Sequence, residues 1–242
     1  MARRVDGVRQ AVAEAAQRSG RREQDITLVA VSKTVAADQV RLAHELGLRH
    51  FGENRVQELA RKRAELEGQL DCTWHLIGHL QSNKAKDALR LASLIHSVDG
   101  LPLARELDRR AGQQGMVADI LVQVNISGEE SKSGTAPDAA IDLIGQIGEL
   151  PHLRVRGLMT IAQPVDDPED VRPAFRAMRQ LFNRAAGELR TDRVTMEVLS
   201  MGMSHDFAIA IEEGATLVRV GTAIFGARSY AAEVSLDSVN GH

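Results

Sequence analysis

The chain has 242 residues, a length at which α/β barrels commonly form one domain. Hydrophobic residues make up 43% and charged residues 26%, but aromatics only 3%, so Ala, Val, Leu and Ile must build the core. A formal net charge of −3 gives no general attraction to nucleic acid or to an anionic membrane. The single cysteine, Cys72, leaves no internal disulfide and no cysteine-based zinc site, and reads as a small half-buried hydrophobe.

Met1-Ala2-Arg3-Arg4 is basic, but no apolar run follows it. It reads as the start of an amphipathic helix, not a signal peptide. No stretch approaches the ~18 apolar residues of a membrane span, so a cytoplasmic location is expected. After a helix over about residues 5–18, short β-branched runs alternate with longer helical patterns. Thr27 to Ser32 reads as a buried strand, and Ala36 to Gly47 as a helix ended by its glycine. His50 to Gly52 is a short strand, followed by a helix over about 54–66. Thr73 to Ile77 and Leu94 to Val98 are the next strands, with helices from about Asn83 and over Leu101 to Gln114. Ala118 to Ile126 is nearly continuously apolar, and Pro137 opens the helix after it. Strands at Val155 to Thr160, Met196 to Leu199 and Thr216 to Val220 complete the series. Helices over about 171–189 and 207–213 separate them.

Strands alternating with helices imply parallel βαβ units. Eight in one chain of this length predict a single (β/α)8 TIM-like barrel over residues 1–242. An extra N-terminal helix occupies about 1–20, and a loose tail about 231–242. An open doubly wound sheet is the competing fold. No G-x-G-x-x-G follows the first strand, which weakens a dinucleotide-binding reading.

In such a barrel, function sits at the C-terminal ends of the strands. Lys33 closes the apolar run Leu28 to Val31. Its stem starts in the barrel mouth, where desolvation would favour the neutral amine that condenses with a carbonyl. A lysine that snorkels to solvent from a strand end is the plainer alternative. Leu217-Val-Arg-Val-Gly-Thr222 ends the eighth strand beside the Ser200-Met-Gly-Met-Ser204 loop that ends the seventh. Barrels often bind phosphate at these two loops, where Gly221 admits an anion close to backbone N–H groups and Thr222 adds a hydroxyl. Either segment alone could be an ordinary turn. Together with Lys33 they give the layout that a phosphorylated aldehyde needs.

The motifs Ala30-Val-Ser-Lys-Thr34, Phe51-Gly-Glu-Asn54, Val56-Gln-Glu58, Trp74-His75, Leu80-Gln-Ser-Asn-Lys84, Val124-Asn-Ile-Ser127, Ser131-Lys-Ser-Gly134, Gly157-Leu-Met159, Leu199 to Ser204 and Val218 to Arg228 resemble the pyridoxal 5′-phosphate (PLP) homeostasis protein family. The resemblance runs from about Val5 to Tyr230. It implies the PLP-binding barrel of alanine racemases, with PLP held covalently on Lys33. It also implies that Ser200, Ser204, Gly221 and Thr222 surround the phosphate and that Arg219 faces the pyridine nitrogen. Asn54 and Met201 fall in motifs that line the pocket. The chain departs from the family pattern at Arg55, where an aromatic is usual, and at His79 and His205, positions on the expected pocket rim.

The family resemblance implies a carrier or buffer of PLP, not a strong catalyst. An arginine at the ring nitrogen cannot accept its proton, which leaves the electron sink weak. About twenty residues follow the eighth strand, too few for the second domain that brings an opposing base in racemases. A monomer that loads and releases PLP, with apo PLP-dependent enzymes as transient partners, is expected. A PLP-dependent racemase and a cofactor-free Schiff-base aldolase are the alternatives. His75 and His79 are four apart but lie across a strand end, so packing is favoured over a metal site. Lys132 and the Lys84/Lys86 pair read as solvated lysines.

Overall fold

The β-branched runs do become strands, and each is short enough to be covered by the helix that follows it. A computed structural model describes residues 1–129 and 133–227; the tail at 231–242 and Lys132 lie outside them. Eight strands close into a barrel in chain order: β1 (Thr27–Val31), β2 (His50–Glu53), β3 (Thr73–Leu76), β4 (Leu94–Val98), β5 (Ala118–Gln123), β6 (Leu153–Met159), β7 (Val194–Ser200) and β8 (Leu217–Val220). Every pairing is parallel, and β8 closes on β1 with Thr27 opposite Leu217 and Ala30 opposite Val220.

The helices are α1 (Ala2–Arg18), α2 (Ala37–Glu45), α3 (Val56–Glu65), α4 (Ala85–Leu91), α5 (Leu101–Gln113), α6 (Ala140–Gly148), α7 (Arg172–Glu188), α8 (Phe207–Glu212) and the four-residue α9 (Thr222–Phe225). The extra helix α1 buries Val5, Val8, Val12, Ala15 and Ala16, a helical stripe that packs on α8 and α9. Arg4 ties it down by donating to the Ile224 carbonyl at 2.8 Å. Among the described residues no helix is long and apolar enough to cross a membrane.

Side chains alternate across each strand. One set, including Ala30, Phe51 and Trp74, packs outward under the helices, and the Phe51 and Trp74 rings lie 5.6 Å apart. The other set points inward, where Val29, Leu94, Leu121, Met159 and Leu217 form a separate apolar plug. With so few aromatics, the apolar part of this narrow interior consists of branched aliphatics and methionine.

Several element ends shift by one to three residues from the sequence expectation, and the two shifts that shape the site flank the β5 loop. The helix after β5 begins at Ala140; Pro137 to Ala139 form a turn before it. β5 ends at Gln123, because the following loop folds back and Thr135 takes over the pairing through Asn125 N–H to Thr135 O at 2.9 Å.

Candidate functional site

A cavity of about 470 Å³ opens at the C-terminal mouth of the barrel. Lining residues stand at or beyond the end of every strand except β4. Lys33, Asn54, Ser204, Arg219, Gly221 and Thr222 all face it. The sequence reading also expected Ser200 and Met201 in the lining. Both are fully buried and do not reach it: Ser200 sits one layer below, and Met201 joins the core beneath the helices. Gln123, Val124 and Ser133 line it as well, brought there by the folded-back loop, with Gln123 Nε2 donating to the Ser133 carbonyl at 2.8 Å. Of the three departures, His79 and His205 stand on the rim, while Arg55 lies in an adjoining hollow with Lys84.

The backbone that carries Lys33 is anchored from outside the barrel. Ser32 and Glu53 point outward from the strand ends, and Lys62 of α3 reaches between them. The Lys62 ammonium donates to the Ser32 carbonyl at 2.5 Å, to Glu53 Oε1 at 2.7 Å and to Glu58 Oε1 at 2.8 Å. Ser32 Oγ donates to the same Glu53 oxygen at 2.6 Å, and Thr34 N–H donates to Glu58 at 2.6 Å. Thr34 has φ +64°, an unusual value for a β-branched residue, and the Glu58 bond helps hold it there. Burial pushes the Glu53 carboxyl up despite Lys62. Burial also acts to raise Glu58, but its bonds to Lys62 and Thr34 outweigh that and hold it low. Lys33 is therefore presented from a fixed turn while its own side chain points into the cavity.

On β8, the strand paired with β1, stands Arg219, which lies in register with Val29 and is 4% exposed. Its Nη1 donates to Ser200 Oγ at 2.6 Å and its Nη2 to the Thr160 carbonyl at 2.8 Å. Burial lowers its pKa to about 10, partly offset by Asp206, so it remains a cation at neutral pH. Gly202, at φ +91°, lets the β7 loop turn against α8; a Cβ there would lie 2.5 Å from the Ala210 Cβ. That turn delivers Ser204 beside α9. The N–H groups of Gly221 and Ala223 converge on Ser204 Oγ at 3.1 and 3.4 Å. Two backbone donors and two hydroxyls meeting at one wall form a nest suited to an anion. Among the described residues no group of three or more His, Cys, Asp or Glu is placed to hold a metal.

A model of the alanine racemase N-terminal domain matches residues 6–229. A pyridoxal phosphate homeostasis protein from Aquifex aeolicus is 45% identical over 227 residues, 94% of this chain and 98% of that one. The chain belongs to this family. The Escherichia coli (strain K12) homeostasis protein is 42% identical over 92% of the chain and 94% of its own length. Among solved structures, PipY of Synechococcus elongatus superimposes with a TM-score of 0.83 at 38% identity in its form without PLP, covering 93% of this chain and all of that one. The form with PLP bound gives 0.78 at 39% identity over 89% of this chain. An alanine racemase from Clostridium difficile shares the barrel, with a TM-score of 0.69 at 14% identity, and this chain spans 61% of it. That likeness carries the fold alone.

Proposed function

We propose that this protein binds PLP reversibly as a Schiff base on Lys33 and serves its intracellular homeostasis as a carrier or buffer. One observation carries the reading. Lys33 and the donor nest of Ser204, Gly221 and Thr222 line the same cavity, with the Arg219 guanidinium between strand ends on its wall. An amine after β1 and an anion cup at the ends of β7 and the adjoining β8 match an aldehyde bearing a phosphate. Names and titles of relatives support it: the curated ones are PLP homeostasis proteins, and PipY has been solved with PLP bound.

When bound, PLP would supply an electrophilic aldehyde and an aromatic ring. Ser204, Gly221, Thr222 and the Ala223 N–H would hold its phosphate. Arg219 would meet the ring nitrogen as a donor only. A guanidinium charged at neutral pH offers that nitrogen no proton-accepting partner, which favours holding the ring over activating it. Asn54 stands at the entrance. Ser200 and Met201 would act from behind the lining, Ser200 through Arg219. The monomeric state, cytoplasmic location and hand-over to apo PLP-dependent enzymes belong to the same reading. The test is a spectrum of wild type beside Lys33→Ala after loading with PLP, followed by mixing with an apo PLP enzyme. A yellow wild type, a colourless variant and transfer to the apo enzyme support it. Turnover of alanine between its enantiomers at ~1 to 1000 per second would replace the carrier with a racemase.

A further inference from the structure

Three histidines, His75 and His96 buried and His50 half-buried, form a hydrogen-bonded column across the barrel interior. His50, His75 and His96 stand on the successive strands β2, β3 and β4. His50 Nδ1 lies 3.0 Å from His75 Nε2, and His75 Nδ1 lies 3.0 Å from His96 Nε2. His96 Nδ1 lies 3.1 Å from Ser200 Oγ, the atom to which Arg219 donates at 2.6 Å. His75 is 3% exposed, while His96 and Ser200 are fully buried. Five polar side chains thus run without a break from His50, which lines a hollow at the N-terminal mouth beside Arg9 and Arg49, to the wall of the site.

The arginine sets the direction of this line. A guanidinium has only donors, so the Ser200 oxygen accepts from it. The serine proton must then be given away, and His96 Nδ1 is the acceptor at hand. His96 consequently carries its proton on Nε2 and donates it to His75 Nδ1. His75 in turn donates from Nε2 to His50 Nδ1. All four bonds are satisfied with three neutral Nε2–H imidazoles. The reverse order would make the serine oxygen accept twice and strand its own proton in a dry interior. Burial holds His96 well below its ordinary range and His75 at about 3, in keeping with a neutral column.

We propose that His96, backed by His75 and His50, is a positioning residue for Arg219: it takes the Ser200 proton and thereby keeps the serine lone pair turned to the guanidinium. This rests on the reading that Arg219 faces the ring of bound PLP. The column gives Arg219 a single fixed orientation, shared between Ser200 and the Thr160 carbonyl. Loss of the column frees the Ser200 hydroxyl to rotate, and the guanidinium with it.

Two measurements test it. In apo protein labelled at histidine nitrogen, long-range nitrogen–proton spectra at neutral pH should show three Nε2–H tautomers. The PLP release rate should then rise about tenfold in His96→Leu, and His96→Asn should restore most of it, because its amide oxygen can accept the serine proton. In a Ser200→Ala background, His96→Leu should change release by less than about twofold. An Nδ1–H tautomer at His96, equal rates for the Asn and Leu variants, or full effects that multiply in the double variant would overturn the proposal. If His96→Leu does not fold, the apo spectrum and the Asn and Ser200→Ala variants still decide. A wild type that binds no PLP would defeat the functional reading, while the apo spectrum would continue to judge the column.

Discussion

Acid should destabilise this barrel earlier than carboxylate titration alone would. The perturbation is a drop from about pH 7 to about pH 5, and the responsible groups are the interior histidines. His75 is held near 3 by burial and by His50, against an ordinary value of 6.5. The unfolded chain therefore binds a proton that the folded chain refuses throughout that window. Stability is lost as pH falls below 6.5 and the loss saturates near 3. At about pH 5 the unfolded imidazole is almost fully protonated and the folded one almost wholly neutral, which costs about 2 kcal/mol for this one residue. His96 adds a contribution of the same sign, and so does half-buried His50. Asp206 and Glu53, whose carboxyls burial pushes up, act in the opposite direction and gain stability as pH falls. The comparison that isolates the effect is urea unfolding of wild type and His75→Asn across this range. Wild type should lose about 2 kcal/mol more than the variant between the two ends. Identical pH dependence in the two proteins would refute the assignment of a buried neutral His75.

Two further substitutions probe the frame around the site. Lys62→Met removes the ammonium that joins Ser32, Glu53 and Glu58, and should cost about 3–5 kcal/mol in urea unfolding, since it strands buried acceptors; a loss below about 1 kcal/mol would show that the cluster adds little. Gly202→Ala places a Cβ against Ala210 at positive φ and should destabilise by about 1–3 kcal/mol, with faster PLP release because Ser204 lies two residues further along the same turn. Unchanged release in that variant would separate the β7 loop from the phosphate nest.

Much of the barrel was legible because its strands are nearly continuous apolar runs separated by helices with clear stops. Lys33 could be found from its place at the end of such a run. The Gly221–Thr222 pair could be found from the position that barrels use for phosphate. Lys62 was not singled out. It sits in the basic stretch Ala60-Arg-Lys-Arg63, which looks solvated, yet it follows Val56 and Leu59 at three-residue spacing and so falls on the buried face of α3. The spacing was the available signal. His96 had a weaker one: a histidine inside the apolar run Leu94-Ile-His-Ser-Val98 points inward by strand alternation, but its partners lie on β3 and β7, beyond the reach of local pattern. Ser200 and Met201 share one motif with the cavity-lining Ser204, so the sequence pattern alone does not separate them from it. The pleat turns Ser200 inward one layer too deep and Met201 outward. Gln123 and Ser133 meet only because the β5 loop doubles back, which depends on tertiary pairing with Thr135.

The most direct measurement is borohydride reduction of the PLP-loaded protein followed by peptide mass spectrometry. A stable phosphopyridoxyl group on Lys33, and on no peptide of Lys33→Ala, is the expected result. A label confined to another lysine, or no label from a protein that still binds PLP, would contradict the covalent reading of the site.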